Sequence, residues 1–129
     1  MLAWSAMGLE NIRIVLARPQ GAANVGSVAR AMKNMGLSDL VLVDSTVHQQ
    51  HWAKAMAVHA KEVLTNATMC ATLSEAVADC GLVIGTTGQE GVYRTELHTP
   101  RAVAPQVLAT AAQHRVALIF GPEDHGLSN

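Results

Sequence analysis

Apolar and polar positions along the chain form blocks that predict strands and helices in turn. Short runs of branched aliphatic residues, bounded by turn-forming residues, are typical of buried β-strands. These runs occupy residues 12–17, 40–43, 81–85 and 116–120. Residues 67–71, which lack branched aliphatic side chains, are a further candidate for a strand. Apolar residues at helical spacing predict helices within residues 25–35, 49–58, 73–79 and 100–113. This alternation predicts an α/β fold, a mostly parallel sheet of about five strands with flanking helices.

The first predicted strand leads into a stretch of small residues, 21–32, where we place the candidate site. Val25 and Met32 belong to an apolar stripe, and Gly36 is predicted to end the helix. Asn24 is predicted to cap the start of the helix, where free backbone N–H groups and the positive end of the helix dipole favour an anion. The spacing by itself favours a simpler alternative, a βα turn whose small residues let the helix pack closely on its strand.

Loops follow three of the predicted strands directly, after Ala17, Gly85 and Phe120. Ligands of parallel α/β sheets bind outside the carboxyl ends of the strands, so we expect these loops to meet at one edge of the sheet. The glycine-rich loop at 86–91 is explained equally well as a ligand wall or as a simple turn. The chain has neither the G-x-G-x-x-G motif nor a P-loop, which disfavours a Rossmann-type nucleotide-binding domain.

Two local signals concern the later helices. Thr72 and Glu75 match a capping box, in which the threonine accepts from the third helical N–H and the glutamate reaches back. Pro105 falls inside the last helical pattern, so that helix is predicted to start or kink there.

The spacing of the histidines and cysteines matches neither a metal site nor a C-x-x-C motif. His48, His51 and His59 have no acidic or cysteine partners at ligand spacing, so we expect solvent-facing side chains and no metal. Cys70 and Cys80 are not spaced as C-x-x-C and are expected to be buried free thiols, consistent with a cytoplasmic location.

Composition narrows the function classes. The chain has 129 residues, half of them hydrophobic, which suits one globular domain with a core. A net charge of −1 gives no overall basic field, so any RNA contact must be local. Aromatic residues make up 3% of the chain, which argues against a broad base-stacking platform. Residues 1–10 show neither a signal peptide nor a membrane span, so no membrane partner is expected.

Two motifs, one after the first strand and one after the last, together resemble those of a single family. They are Asn24-x-Gly26-Ser27-x-x-Arg30-Ala31 and Phe120-Gly121-Pro122-Glu123-x-x-Gly126-Leu127-Ser128-Asn129. The chain is similar to the SPOUT class of RNA methyltransferases, in the TrmH/TrmJ branch that methylates ribose 2′-hydroxyls. The resemblance covers residues 11–129, so residues 1–10 are interpreted as an N-terminal extension.

The resemblance implies a knotted α/β domain, a homodimer, S-adenosylmethionine as cofactor and RNA as substrate, with the anticodon loop of tRNA as the target. It implies cofactor contacts from Thr86, Thr87, Gly88 and Gly121, and catalytic roles for Arg30, Asn24 and Glu123. Arginine has a pKa above 12 in solution and is a poor general base. We therefore expect Arg30 to clamp the substrate phosphate and ribose, although a role as the base remains an alternative.

The chain departs from the family pattern in two places. The family carries a third motif that completes the knot and covers the cofactor, and residues 11–129 lack this C-terminal segment. Gln89 stands where the TrmJ subgroup commonly has an arginine-containing sequence. These departures keep a second hypothesis open, a non-catalytic RNA-binding or assembly module on the same scaffold. If the chain is truncated before the third motif, it is expected to be inactive by itself.

Overall fold

A parallel five-stranded β-sheet lies at the centre of the molecule. The computed structural model describes residues 8–86 and 99–122. The strands are β1 (Ile12–Ala17), β2 (Asp39–Val43), β3 (Thr68–Cys70), β4 (Leu82–Gly85) and β5 (Val116–Phe120). They are ordered β3-β2-β1-β5-β4, and every pairing is parallel. The predicted α/β class and sheet are therefore confirmed.

Helices cover both faces of this sheet. Within the described residues they are α1 (Ala22–Asn34), α2 (His51–Ala57), α3 (Lys61–Thr65), α4 (Leu73–Val77) and α5 (Pro100–Ala111). Short 3₁₀ turns lie at Leu9–Asn11, Val47–Gln49 and Val58–Ala60. The last turn separates α2 from α3, a helix that the sequence pattern did not predict. It begins at Val58, whose positive φ of 55° cannot continue an α-helix.

Side chains of β1 alternate between two cores, because successive strand residues point to opposite faces. Ile14 and Leu16 pack with residues of α1, α2, α3 and α5. Val15 and Ala17 pack on the other face, where Ala76 of α4 belongs to the same cluster. Both faces of β1 are buried, which explains its nearly continuous apolar sequence.

Helix α1 is fixed by one glycine inside it and another after it. A Cβ on Gly26 would lie 2.2 Å from the carbonyl oxygen of Ala53, so only glycine lets α1 approach α2 this closely. After the helix, Gly36 adopts a φ of 80°, and Leu37 N–H donates to the Met32 carbonyl at 2.8 Å. This is the Schellman arrangement that ends helices at glycine, and it confirms the predicted stop.

The structure corrects the prediction for the start of α1. Gly21 is the N-cap residue, and Asn24 lies inside the first helical turn, so Asn24 does not cap the helix. The cause is that Gly21 is extended, with φ −99° and ψ 119°, and helical geometry begins at Ala22.

Thr72 and Thr99 cap α4 and α5. Thr72 Oγ1 accepts from Glu75 N–H at 3.2 Å, as predicted, and the Thr72 hydroxyl donates to the Glu75 carboxylate. Thr99 Oγ1 accepts from Ala102 N–H at 3.1 Å, which places the start of α5 ahead of Pro105. The prediction that this helix starts at Pro105 is wrong, because the cap and Pro100 in the first turn already define its beginning.

Candidate active site

A mostly apolar groove of about 550 Å³ lies at the carboxyl ends of β1 and β5, beside α1. Its volume is within the usual range of small-molecule sites. The residues that line it are Ile14, Leu16, Pro19, Asn24, Val25, Val28, Ala31, Met32, Met35, Leu37, Thr86, Leu118, Phe120, Gly121 and Pro122. They include residues from the loops after β1, β4 and β5, which confirms that these loops converge at one edge of the sheet.

Thr86 anchors the loop after β4 at this groove. Its backbone N–H and its hydroxyl both donate to the carbonyl oxygen of Ile119, at 2.9 and 2.8 Å. Thr86 is therefore held against β5 with its donors already used. A ligand in the groove would find acceptor oxygens and a methyl group at this residue, not free donors.

Asn24 and Gly121 lie near opposite ends of the sequence, but both line the same groove. Asn24 is exposed on the first turn of α1, and its amide has no hydrogen bond within the described part of the chain. Gly121 follows β5 directly and is half-buried. The structure therefore brings both residues to the groove, and the roles that the family resemblance implies for them stay predictions.

Arg30 is exposed on α1 but is not among the residues that line the groove. Six residues of α-helix separate it from Asn24, which turns its side chain about 120° away around the helix axis. Across residues 8–86 and 99–122, Arg30 has neither an ion pair nor a hydrogen bond from its side chain. Three other predicted site residues, Thr87, Gly88 and Glu123, lie outside the described residues.

Charged side chains at the opposite edge, where the strands begin, pair with one another. Arg13 donates to Asp39 at 2.9 Å and to Asp79 at 2.8 Å, and Arg115 donates to Asp79 at 2.7 Å. The hydrogen bond from Arg13, with a smaller contribution from Arg115, lowers the pKa of Asp79 to about 2. Burial raises the pKa of the nearby Cys80 thiol. This network ties β1 and β2 to the segment before β4.

His48 contradicts the prediction of solvent-facing histidines, whereas His51 and His59 are exposed as expected. Only 5% of His48 is exposed, because the turn after β2 folds its side chain inward. Burial lowers its pKa. Cys70 and Cys80 are free, as predicted, but are half-buried.

Sequence reasoning missed the apolar walls of the groove and a second, polar pocket. Met35 and Phe120 are 61% and 39% exposed, an unusual placement for large apolar residues, yet they read as ordinary core positions. His48, Lys54 and Lys61 line a separate pocket of about 380 Å³. The available signal was the position of His48, which follows β2 at the ligand-binding edge of the sheet.

The described residues contain no group of three or more His, Cys, Asp or Glu side chains that could hold a metal ion. Among the same residues, no helix has the length and apolar character needed to cross a bilayer.

Known proteins match the chain in sequence and in structure. The model of the SpoU rRNA Methylase family matches residues 11–129. The tRNA (cytidine/uridine-2'-O-)-methyltransferase TrmJ of Salmonella typhimurium is 45% identical over 121 residues, 94% of this chain and 50% of that protein. A probable methylase family protein from Haemophilus influenzae is 41% identical with a TM-score of 0.84, covering 94% of this chain and 51% of that one.

A probable methyltransferase from Bordetella pertussis has the same TM-score of 0.84 at 32% identity, covering 96% of this chain and 76% of that one. The chain spans about half the length of the curated relatives it matches. The family model covers nearly all of the chain, and the relatives share both its sequence and its sheet. The chain belongs to the SpoU rRNA methylase family.

Proposed function

We propose that this protein transfers a methyl group from S-adenosylmethionine to the ribose 2′-hydroxyl of a tRNA nucleotide, in the anticodon loop. The observation that carries the proposal is the 45% identity to a tRNA (cytidine/uridine-2'-O-)-methyltransferase over 94% of the chain. A groove of suitable size at the carboxyl edge of the sheet supports it. The proposal places the protein in the cytoplasm, where tRNA is modified.

The groove suits a nucleoside-sized cofactor. Its walls from α1, β1 and β5 are apolar and could hold an adenine ring, while Thr86, Gly121 and Asn24 supply polar atoms at one end. When bound, S-adenosylmethionine supplies a methyl group activated by a sulfonium. In this proposal Thr86 and Gly121 hold the cofactor. Thr87 and Gly88, which follow Thr86 in sequence, contribute to the same cofactor site.

The residues of the two motifs are proposed to act on the RNA. Methyl transfer needs in-line approach of the 2′-oxygen, so positioning supplies much of the rate. Arg30 is exposed and without a charged partner in the described structure, which leaves its guanidinium available for a phosphate or ribose oxygen. Asn24 orients the ribose from the groove side, and Glu123 acts from the second motif.

A homodimer is part of the proposal. Met35 and Phe120 line the groove and are 61% and 39% exposed, so this face offers two large apolar side chains that a second subunit could cover. A second subunit over this face would also exclude water from the reacting atoms.

Replacement of Arg30 tests the proposed chemistry. Arg30→Ala is expected to reduce methylation of an unmodified tRNA transcript by at least about a hundredfold, because a positioning clamp is lost. The melting temperature should not change, since Arg30 is exposed. Arg101→Ala removes an exposed arginine from α5 and serves as the matched control. Full activity in Arg30→Ala would remove Arg30 from the mechanism.

Calorimetry with S-adenosylmethionine separates catalysis from the assembly-module alternative. The proposal expects binding at micromolar concentration, with transfer of labelled methyl groups to a 2′-oxygen of tRNA. No binding at millimolar cofactor, together with retained affinity for tRNA, would instead support a non-catalytic RNA-binding module.

A further inference from the structure

A second pocket lies near the carboxyl end of β2, on the side of the sheet that carries α2 and α3. We call it the lysine pocket. It has a volume of about 380 Å³ and is lined by His48, Gln49, Lys54, Lys61, Leu64 and Thr65. None of these lining residues is acidic, and two carry ammonium groups. The pocket is therefore positively charged although the whole chain has a net charge of −1.

The two lysines have no counter-charge in the described structure. Lys54 and Lys61 form neither an ion pair nor a side-chain hydrogen bond there. The nearest acidic residue in sequence, Glu62, is already paired with Lys33 of α1. Two unpaired ammonium groups around one cavity attract an anion, and a phosphate is the common anion that accepts from several donors at once.

His48 gives an independent indication of a ligand. Its side chain is part of the pocket wall and only 5% exposed, and Nδ1 has no hydrogen-bond partner. A buried polar atom without a partner is costly, and in native proteins such atoms commonly mark a missing ligand or water. His48 therefore adds a buried group with unmet hydrogen-bonding capacity to the wall of the pocket.

The proposed RNA substrate favours a backbone phosphate over a free phosphate ion as the ligand. A chain with a net charge of −1 can attract RNA only through a local basic site, and the lysine pocket is such a site. Trp52 of α2 is 64% exposed but does not line the pocket, and helix geometry turns its side chain about 200° from that of Lys54.

We propose that the lysine pocket binds a backbone phosphate of the RNA substrate. The inference rests on the proposed function for the identity of the RNA. Helix α1, which carries Arg30 and Asn24, packs directly on α2, which carries Lys54, through the Gly26 contact. The pocket and the first motif therefore belong to neighbouring helices.

The test compares tRNA binding by the protein and by the double variant Lys54→Gln/Lys61→Gln over a range of salt concentrations. Each phosphate contact contributes about 0.7 to 0.9 to the slope of log K against log salt. The double variant should bind an unmodified tRNA transcript about tenfold more weakly at low salt, with a slope shallower by about 0.7 or more. Arg101→Gln, an exposed charge outside the pocket, should leave the slope unchanged.

One further measurement identifies the ligand. Titration with inorganic phosphate, followed by NMR of the His48 ring, should need millimolar concentrations. Saturation by micromolar phosphate with an unchanged salt slope in the double variant would overturn the RNA assignment in favour of free phosphate.

The outcomes distinguish a failure of this proposal from a failure of the proposed function. An unchanged salt slope in the double variant, alongside normal methylation by the unaltered protein, refutes the lysine pocket and leaves the methyltransferase proposal standing. A reduced slope without any detectable methylation supports the pocket as an RNA contact and refutes the proposed chemistry.

Discussion

The two edges of the sheet differ in whether their charged side chains form ion pairs. At the amino edge, where the strands begin, Arg13 is bonded to Asp39, Asp79 and the carbonyl oxygen of Ala76, and its side chain is 12% exposed. At the carboxyl edge, Arg18 and Asp44 are exposed and have no ion pair in the described structure. Satisfied charges stabilise a fold, whereas unsatisfied charges remain available to a ligand.

The backbone shows the same contrast. Before β1 and β2, the residues with positive φ are Gly8 and Gly36, which adopt this conformation at little cost. Directly after β1 and β2, the residues with positive φ are Arg18 at 49° and Asp44 at 54°, which carry a Cβ. Left-handed residues other than glycine cost free energy and cluster at functional sites.

This contrast indicates that the amino edge of the sheet contributes mainly to stability and the carboxyl edge mainly to function. Local sequence agrees with the fold at the amino edge and disagrees with it at the carboxyl edge, a pattern expected at functional sites. The groove and the convergent loops lie at the carboxyl edge, which also carries Arg18 and Asp44. Val58, a third residue with positive φ among the described residues, lies between α2 and α3.

Loss of Arg13 should give the largest change in stability. Arg13→Met keeps much of the side-chain volume but leaves Asp39, Asp79 and the Ala76 carbonyl without their donor. We expect the free energy of unfolding to fall by about 2–3 kcal/mol, measured by urea denaturation.

The control for this variant is Arg101→Met, which removes an exposed arginine from α5 and should change stability by less than about 0.5 kcal/mol. An equally small effect of Arg13→Met would show that the amino edge is not stabilised by its ionic network, and the contrast between the edges would fail.

Adding a Cβ at the amino edge should lower the free energy of unfolding, and removing one at the carboxyl edge should raise it. Gly36→Ala forces a Cβ into a φ of 80° and should destabilise the protein by about 1–2 kcal/mol. Arg18→Gly relieves a φ of 49° and should stabilise it by about 0.5–1 kcal/mol, with part of the gain offset by the entropy of glycine in the unfolded chain. Thermal unfolding of both variants measures the pair.

The matched control is Ser27→Ala at an exposed position of α1, which should be close to neutral. If Arg18→Gly were destabilising, its backbone conformation would not be a source of strain, and the carboxyl edge would resemble the amino edge in this respect.

The sequence predicts those structural elements that depend on patterns of neighbouring residues. The apolar run of β1 and the capping pair Thr72 and Glu75 each determine their structure from neighbouring residues, and both predictions are confirmed. The break between α2 and α3 depends on the positive φ of Val58, which a β-branched residue disfavours, so propensity points away from it. Such a conformation is imposed by packing and has no local signal.

Site residues were predictable only in part, for the same reason. Asn24, Thr86 and Gly121 directly follow strands or begin a helix, so topology alone brings them to one groove. The helical spacing places Arg30 and Asn24 on different sides of α1, but it does not indicate which side borders the groove, because the side that α1 presents is set by the contact of Gly26 with Ala53. The burial of His48 likewise depends on a turn between elements.

The smallest expected effect is a pH dependence that arises at the amino edge. Arg13, and to a lesser degree Arg115, lowers the pKa of Asp79 to about 2, against about 3.9 for an unfolded aspartate. A lowered pKa stabilises the folded state above pH 4, and that contribution is lost as the pH falls from about 4 to about 2. Because the Asp79 side chain is 52% exposed, solvent screening limits the contribution to under about 1 kcal/mol.

Urea denaturation between pH 2 and pH 7 should therefore show a shallower loss of stability below pH 4 in Asp79→Asn than in the unaltered protein. Asp44→Asn, at the carboxyl edge, is the control and should follow the unaltered protein, since Asp44 has no ion pair in the described residues. Parallel curves for Asp79→Asn and the unaltered protein would mean that Asp79 contributes to stability through the geometry of its hydrogen bonds and not through its negative charge. The two edges would then differ in geometry and not in charge.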